Sequence, residues 1–526
     1  MRYLETSSQG TSGRERERMR WERPLPLIAH ALICGLAIVG LSGDSAAREH
    51  PHVLFLAVDD LKDWVGCLGG YGGVVHTPNI DRLADRGVLF TNAHCPSPKC
   101  APSRAAILTG LRPSTTGLYE NSHWWFPNLP EEVTLPMRFR EEGYHVVGTG
   151  KIFHHTAGNN PPRQWDAFDR LLFRDDPWFR SVKINYPWSE TGPYPEGFPF
   201  SGVAKLGHEN VWGSLEISEG DYDDSRTAGY AVRFLEEADG APFFLACGFF
   251  RPHLPWYVPN RWFDLYPVEE VVLPAVRSDD LDDVPDAGRS LAADRRSDLD
   301  RIREAGKWKE AVQAYLASIS YADAQLGRVL DALDRREDAA ETIVVLWSDH
   351  GWHLGEKDHW HKSTLWEEAT RIPFIIAGPG ISPSRCAAPV SLVDLYPTLL
   401  DLCGFEPKEG LDGTSLVPLL EDPERSWDRP AVIEYRRGNA AVRSHQHRLI
   451  RYEDGSEELY DLVNDPEEWN NLASDPDFKS IKSKLARWIP DSWANSAPTK
   501  KAFAFDPETY SWEHLESGKV IHGSEP

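Results

Sequence analysis

The sequence predicts an α/β protein built on a mostly parallel central sheet, with a smaller α+β unit towards its C-terminal end. Short apolar runs at 53–58, 144–148, 242–248, 342–347 and 373–377 are rich in β-branched or aromatic residues. They lack clean alternation, as parallel strands covered on both faces do. Helical patterns lie between them, so strand and helix alternate along the chain. Beyond Pro430 the pattern changes to short strands separated by turn signals.

Arg14, Arg16, Arg18, Arg20 and Arg23 precede an apolar run over 27–41 and the small residues Ser45-Ala46-Ala47. A basic start, a short apolar stretch and a small-x-small site read as a signal peptide over 1–47. The protein is then expected to be secreted or periplasmic, with no stable membrane span. The alternative is an uncleaved anchor, although the run is shorter than the ~20 residues that cross a bilayer. The main domain is expected over 48–429. Within it, Pro102 and Ser103 suit the first turn of a helix that Thr109-Gly110 ends. The stretch 307–335 places Ala314, Ile319, Ala322, Leu326, Val329, Leu330 and Leu333 on one helical face. Another helix is expected over 391–402, with Gly404 as its cap. The polar stretch 279–303 reads as an exposed excursion. The α+β unit is expected over 430–526. Strands at 431–435, 441–445, 449–452 and 458–462 would form an antiparallel meander, and a helix at 479–488 would cover its face.

The chain has 526 residues, of which 41% are hydrophobic and 26% charged. This is ordinary globular usage and excludes a disordered, collagenous or multi-spanning membrane protein. The net charge of −25 argues against nucleic acid and anionic membranes as partners. A small anionic substrate is still admissible, because screening over ~8–10 Å hides distant acids from a local cationic pocket. The 20 tryptophans are compatible with core packing and with sugar stacking. The 7 cysteines are too sparse for a disulfide scaffold. Cys34 leaves with the leader, Cys247 lies in an apolar strand, and pairing of Cys386 with Cys403 is open.

Asp59 and Asp60 follow the strand at 53–58, and Asp349 and His350 follow the strand at 342–347. Open α/β sheets bind ligands at such carboxyl ends. Converging carboxylates repel unless a cation holds them, and oxygen-rich ligation favours calcium first and magnesium second. One strand-end Asp is usually a cap or turn former; two pairs on two strands point instead to a metal site. Cys100 would open its helix, where free N–H groups and the dipole favour an anion, and Arg104 lies one turn along. A thiol nucleophile and a structural cysteine are the other readings of Cys100.

Cys100-Ala101-Pro102-Ser103-Arg104, continuing to Leu108-Thr109-Gly110, resembles the signature of the type I sulfatases. Cys95-Pro96-Ser97-Pro98-Lys99 lacks Pro at its third position and Arg at its fifth, so only Cys100 fits. The resemblance runs from about residue 50 past Leu459-Tyr460-Asp461-Leu462 and is closest to the iduronate-2-sulfatase branch. Asp349-His350-Gly351, Trp352, Leu354-Gly355-Glu356, Trp360 and Lys362 look like that branch. So do Gly150-Lys151-Ile152-Phe153-His154 and Arg251-Pro252-His253. The stretches 193–200 and 279–303 have no counterpart.

The resemblance implies an alkaline-phosphatase-like sandwich and conversion of Cys100 to formylglycine (3-oxoalanine) by a formylglycine-generating enzyme. It implies Asp59, Asp60, Asp349, His350 and residue 100 as ligands of Ca2+, or of Mg2+ as second choice. Arg104 would ease formation of an alkoxide at residue 100. Lys151 and Lys362 would hold sulfate oxygens, and His253, alone or with Lys362, would protonate the leaving oxygen. His154 would take a proton from the second hydroxyl of the hydrated aldehyde. His155, His353, His359 and His361 crowd the same loops and are not ranked. The expected reaction is hydrolysis of sulfate esters on a sulfated sugar or polysaccharide. The alternatives are a phosphate or phosphonate ester hydrolase on the same fold and a non-catalytic relative that binds sulfated glycans.

Overall fold

The computed structural model describes residues 50–156, 158–169, 201–206, 211–214 and 218–524. The expected signal peptide and the 193–200 stretch lie outside them. An eight-stranded sheet organises the rest. Its order is Ser384–Cys386, Val88–Phe90, Phe374–Ala377, Thr342–Ser348, His52–Val58, Phe243–Phe249, His145–Gly150 and Ala167–Asp169. Central pairings are parallel, with Val58 beside both Ser348 and Phe249.

Successive residues of the central strand face two separate cores, as the pleat requires. Leu54, Leu56 and Val58 pack with Ile319, Leu326, Val329 and Leu330 of the Trp308–Asp334 helix. Val53, Phe55 and Ala57 pack with Ile107, Leu108, Leu395 and Leu399 on the other face. This is the sheet covered on both sides by helices that the apolar runs predicted. Cys67, Cys95, Cys100, Cys247, Cys386 and Cys403 are all free thiols.

Two expectations need correction. The Phe374–Ala377 strand is antiparallel to both its neighbours, not parallel. Burial on both faces makes either direction read alike in composition. The 279–303 stretch is not an exposed excursion. It forms helices Asp286–Ala293 and Arg296–Glu304. Val284, Leu291 and Ala292 pack with Trp366, Tyr435 and Ile450, and Leu299 and Ile302 enter the core beside the long helix.

Towards the C-terminus, Ala431–Glu434, Ala440–Arg443, His447–Arg451 and Glu457–Asp461 form the expected antiparallel meander. The Lys479–Ala486 helix lays Leu485 against Val442, Leu449 and Leu459. A three-stranded sheet over Phe503–Asp506, Ser511–His514 and Val520–His522 packs elsewhere. Its Trp512 meets Phe126 at 5.0 Å between ring centroids.

Candidate active site

Four neighbouring parallel strands end side by side and deliver their next residues to one place. Thr342–Ser348 leads to Asp349 and His350, and His52–Val58 to Asp59 and Asp60. Phe243–Phe249 leads to the loop with His253, and His145–Gly150 to Lys151 and His154. The Cys100–Thr109 helix presents its first residue to them and closes at Gly110, whose φ of 74° is left-handed. Asn121 Oδ1 accepts from Ala101 N at 2.9 Å, and Ser103 Oγ donates to Asp349 O at 2.6 Å, so the helix start is fastened.

Close backbone approach sets Lys151. Its N–H donates to Gly248 O at 2.9 Å, and a Cβ at Gly248 would stand 2.1 Å from Lys151 O. Only glycine leaves that space. Asp60 adopts a left-handed φ of 59°, a conformation that costs an Asp energy and is held by neighbours. Its N–H donates to Asp349 Oδ1 at 3.1 Å, and Tyr315 Oη donates to Asp60 O at 2.8 Å.

Asp59, Asp60, Lys151, Asp349, His350 and Arg104 are all buried to 0% exposure. Arg104 donates to Asp59 Oδ1 at 2.9 Å and to Asp349 Oδ2 at 2.8 Å. It thus clamps the two acids together, and among the described residues no hydrogen bond joins it to Cys100. Lys151 Nζ pairs with Asp59 Oδ2. Lys362 Nζ donates to Asp60 Oδ1 at 2.6 Å and to Cys100 Sγ at 3.1 Å. His350 Nε2 lies 3.2 Å from Cys100 Sγ and 3.3 Å from Asp60 Oδ1.

Burial pushes the Asp60 carboxyl up to about 7 against the pull of Lys362. Burial also raises Asp349, but Arg104, His350 and Lys151 outweigh it and hold that carboxyl well below the usual range. The His154 and His253 imidazoles are both held well below their ordinary value. Burial is the main cause, followed by Lys500 at His154 and by Lys151 and Lys362 at His253.

The donor set fits a divalent cation. Ligand atoms of Asp60, Cys100, Asp349 and His350 all lie within 4.8 Å of one another and are buried, and Asp59, Asp60 and His253 form an overlapping group. His350 Nδ1 donates to Gly351 O at 3.1 Å, which leaves Nε2 a free lone pair facing the group.

A cavity of about 300 Å³ opens above this cluster, lined by His154, His253 and Lys362 among others. The His253 ring donates from Nδ1 to Leu254 O at 2.5 Å, and its Nε2 is 3.9 Å from Asp60 Oδ2. Of the unranked histidines, His155 and His361 reach the cavity. His353 is tied to Thr364 at 2.7 Å and His359 to Ala292 O at 2.8 Å, so both are structural. Sequence reasoning missed Lys99, Asn121, Thr156, Asp294, Arg295 and Ser363 in the cavity wall. Arg295 sits between two helices with a φ of 139°, and nothing in its sequence neighbourhood signals that position.

The family described as Sulfatase matches residues 51–405, and that described as N-sulphoglucosamine sulphohydrolase, C-terminal, matches residues 355–493. The chain is 41% identical over 510 residues to a sulfatase of Formosa agariphila, covering 93% of this chain and 96% of that protein. It is 32% identical over 420 residues to iduronate 2-sulfatase of Homo sapiens, covering 71% and 73%. The fold is shared with the phosphonate monoester hydrolase of Agrobacterium radiobacter, with a TM-score of 0.68, 22% identity, and 90% of this chain and 100% of that chain covered. A family match over most of the chain, joined to long relatives of the same kind, makes this protein a member of the sulfatase family of sulfuric ester hydrolases.

Proposed function

We propose that the protein hydrolyses a sulfate ester on an anionic sugar or polysaccharide, an iduronate-2-sulfatase-like reaction with residue 100 as nucleophile. One observation carries this reading. Lys362 Nζ bridges Asp60 and Cys100 Sγ, in a cavity whose walls present His154 and His253.

Cys100 is the unconverted form of the nucleophile; as hydrated formylglycine it supplies one hydroxyl to attack sulfur and a second through which the aldehyde re-forms. A divalent cation, calcium by its oxygen-rich donor set, supplies positive charge for that hydroxyl and the sulfate oxygens when bound by Asp59, Asp60, Asp349, His350 and residue 100. Arg104 holds Asp59 and Asp349 in place for it. Lys151 and Lys362 add fixed positive charge in a dry site, where it counts most in the transition state. His253 turns Nε2 to the cluster because Nδ1 is committed to Leu254 O. Nε2 brings a proton to the leaving sugar oxygen only from the imidazolium form, which the negative charge of a bound sulfate ester favours against the burial and lysines that keep the empty-site ring neutral. His154, kept neutral by burial and Lys500, is suited to accept a proton. In a wall that also carries Asp294, Arg295 is the cation placed to meet a second negative charge on the sugar, such as a carboxylate, while Lys99 is paired with Glu120 at 3.6 Å.

Cys100 in its Cys-x-Pro-x-Arg setting makes a formylglycine-generating enzyme the maturation partner, and the arginine-rich leader supports export to the periplasm or beyond. Among the described residues no helix is long and apolar enough to cross a membrane. The test is turnover of matched aryl sulfate and aryl phosphate, followed by a panel of 2-sulfated uronates and sulfated polysaccharides. Preference for sulfate is expected. Faster turnover of the phosphate ester overturns the reading in favour of a phosphate or phosphonate hydrolase, and no turnover of any ester favours a binding protein.

A further inference from the structure

A second concave surface lies outside the catalytic cavity and shares no lining residue with it. It is a groove of about 490 Å³ between the loop at 427–430, the hairpin at 444–446 and the end of the Lys479–Ala486 helix. Two tryptophans frame it. Trp427 is half-buried and its Nε1 donates to Pro389 O at 3.2 Å, which fixes the ring. Trp488 is 39% exposed, unusual for so large an apolar side chain, and the Arg429 guanidinium lies 5.7 Å from its ring centroid.

The groove is basic in a chain of net charge −25. Arg429, Lys484 and Arg487 line it against one acid, Asp428, an excess of two positive charges. Among the described residues none of these three cations forms an ion pair or a side-chain hydrogen bond. Lys482, on the same helix, is tied to Glu457 at 3.0 Å and to Ala473 O at 2.7 Å. The chain therefore has acids with which to pair cations here, and leaves three of them unpaired beside exposed indole surface.

We propose that this groove is a non-catalytic binding site for an anionic polysaccharide. Indole faces stack on the apolar faces of sugar rings, while Arg429, Lys484 and Arg487 pair with carboxylate or sulfate groups. A glycan strand lying in the groove feels only charges within the ~8–10 Å screening length. An anionic bilayer would instead meet a broad face of an acidic protein. The proposal extends the sulfatase reading, since the polymer held here would be of the kind whose sulfate esters the catalytic cavity receives.

The experiment measures binding without turnover, in the Cys100→Ala protein, by calorimetry with a heparin octasaccharide, neutral dextran and oligothymidylate. A parent enzyme that splits no sulfate ester then overturns the catalytic reading and leaves this measurement intact. In that background, Trp488→Ala and the pair Lys484→Ser with Arg487→Ser are each expected to weaken heparin binding about tenfold or more. A charge-matched control, Lys501→Ser with Lys519→Ser, is expected to bind as the parent does. Both residues are exposed and lie away from the groove. Unchanged melting temperatures exclude misfolding of the exposed Lys484 and Arg487 variants. Equal heparin affinity in the groove variants and the control overturns the proposal. So does oligothymidylate binding as tight as heparin and lost in the same variants, which would mark a nucleic-acid site.

Discussion

His350 Nε2 stands 3.2 Å from Cys100 Sγ while its Nδ1 donates to Gly351 O at 3.1 Å. The second contact sets the tautomer, so the lone pair that faces residue 100 and Asp60 belongs to a ring already shaped as a ligand. Elemental analysis of purified protein is therefore expected to find about one calcium per chain, and clearly less in His350→Ala. Chelation should lower activity and Tm together, because an ion bound only by the native state stabilises it. Full activity with zinc as the sole metal would contradict the assignment.

Cys100→Ala removes a buried side chain at the start of a helix held by Asn121 and Ser103, so the variant should fold and lose all activity. In active enzyme the peptide containing position 100 should carry an aldehyde. Unmodified thiol there in fully active protein would sink the nucleophile assignment.

His253 and Lys151 should separate by substrate. A sugar alkoxide leaves poorly without a proton and an activated phenol does not, and general-acid catalysis contributes ~10²–10⁴-fold. His253→Ala is expected to lose far more kcat/KM on a sulfated sugar than on an aryl sulfate. Lys151→Ala removes charge next to Asp59 and should harm both substrates alike. Equal losses in His253→Ala would move the proton-donating role to another residue of the cavity.

Glu434 ties the meander to the Pro113–Thr116 helix by accepting from Ser114 N at 2.6 Å and Ser114 Oγ at 2.8 Å. Burial raises its carboxyl from an ordinary 4.5 to about 7, against the pull of Arg112. A carboxyl whose folded pKa lies above its unfolded value binds extra protons in the native state between the two. Its contribution to stability therefore falls as pH rises from about 4.5 to about 7 and is level beyond. The effect is at most about 3 kcal/mol. Glu434→Gln keeps the shape and can still accept from Ser114 N. It should narrow the drop in Tm between pH 5 and pH 8, and an unchanged drop would show that Glu434 is already ionised at pH 5.

The sheet and the acids at its edge were legible because an apolar strand followed by Asp59-Asp60 or Asp349-His350 is a local pattern. The direction of the Phe374–Ala377 strand was not, since it depends on a partner rather than on composition. The 279–303 stretch hid its role behind a polar outer face. Leu291, Ala292, Leu299 and Ile302 are the buried stripe of two short helices, too brief to stand out from a charged background. Arg295 was beyond reach for a different reason, because a bend between helices is fixed by what each helix packs on.

That bend separates two kinds of inheritance. Asp59, Asp60, Lys151, Asp349 and His350 hang from the ends of strands buried in the sheet, where any shift would disturb both cores, whereas Lys362 follows the short Trp360–His361 strand outside that sheet. Asp294 and Arg295 in the cavity wall hang from a helical pair that enters the core through Leu299 and Ile302 and meets the loop before Lys362 through Ala292 O, 2.8 Å from His359 Nδ1. Recasting that pair would alter the wall that meets the sugar and would also reach Lys362, because His359 stands between Ala292 O at 2.8 Å and Lys362 O at 2.7 Å. A lineage changing its diet through this pair would thus have to keep Ala292 O where His359 needs it.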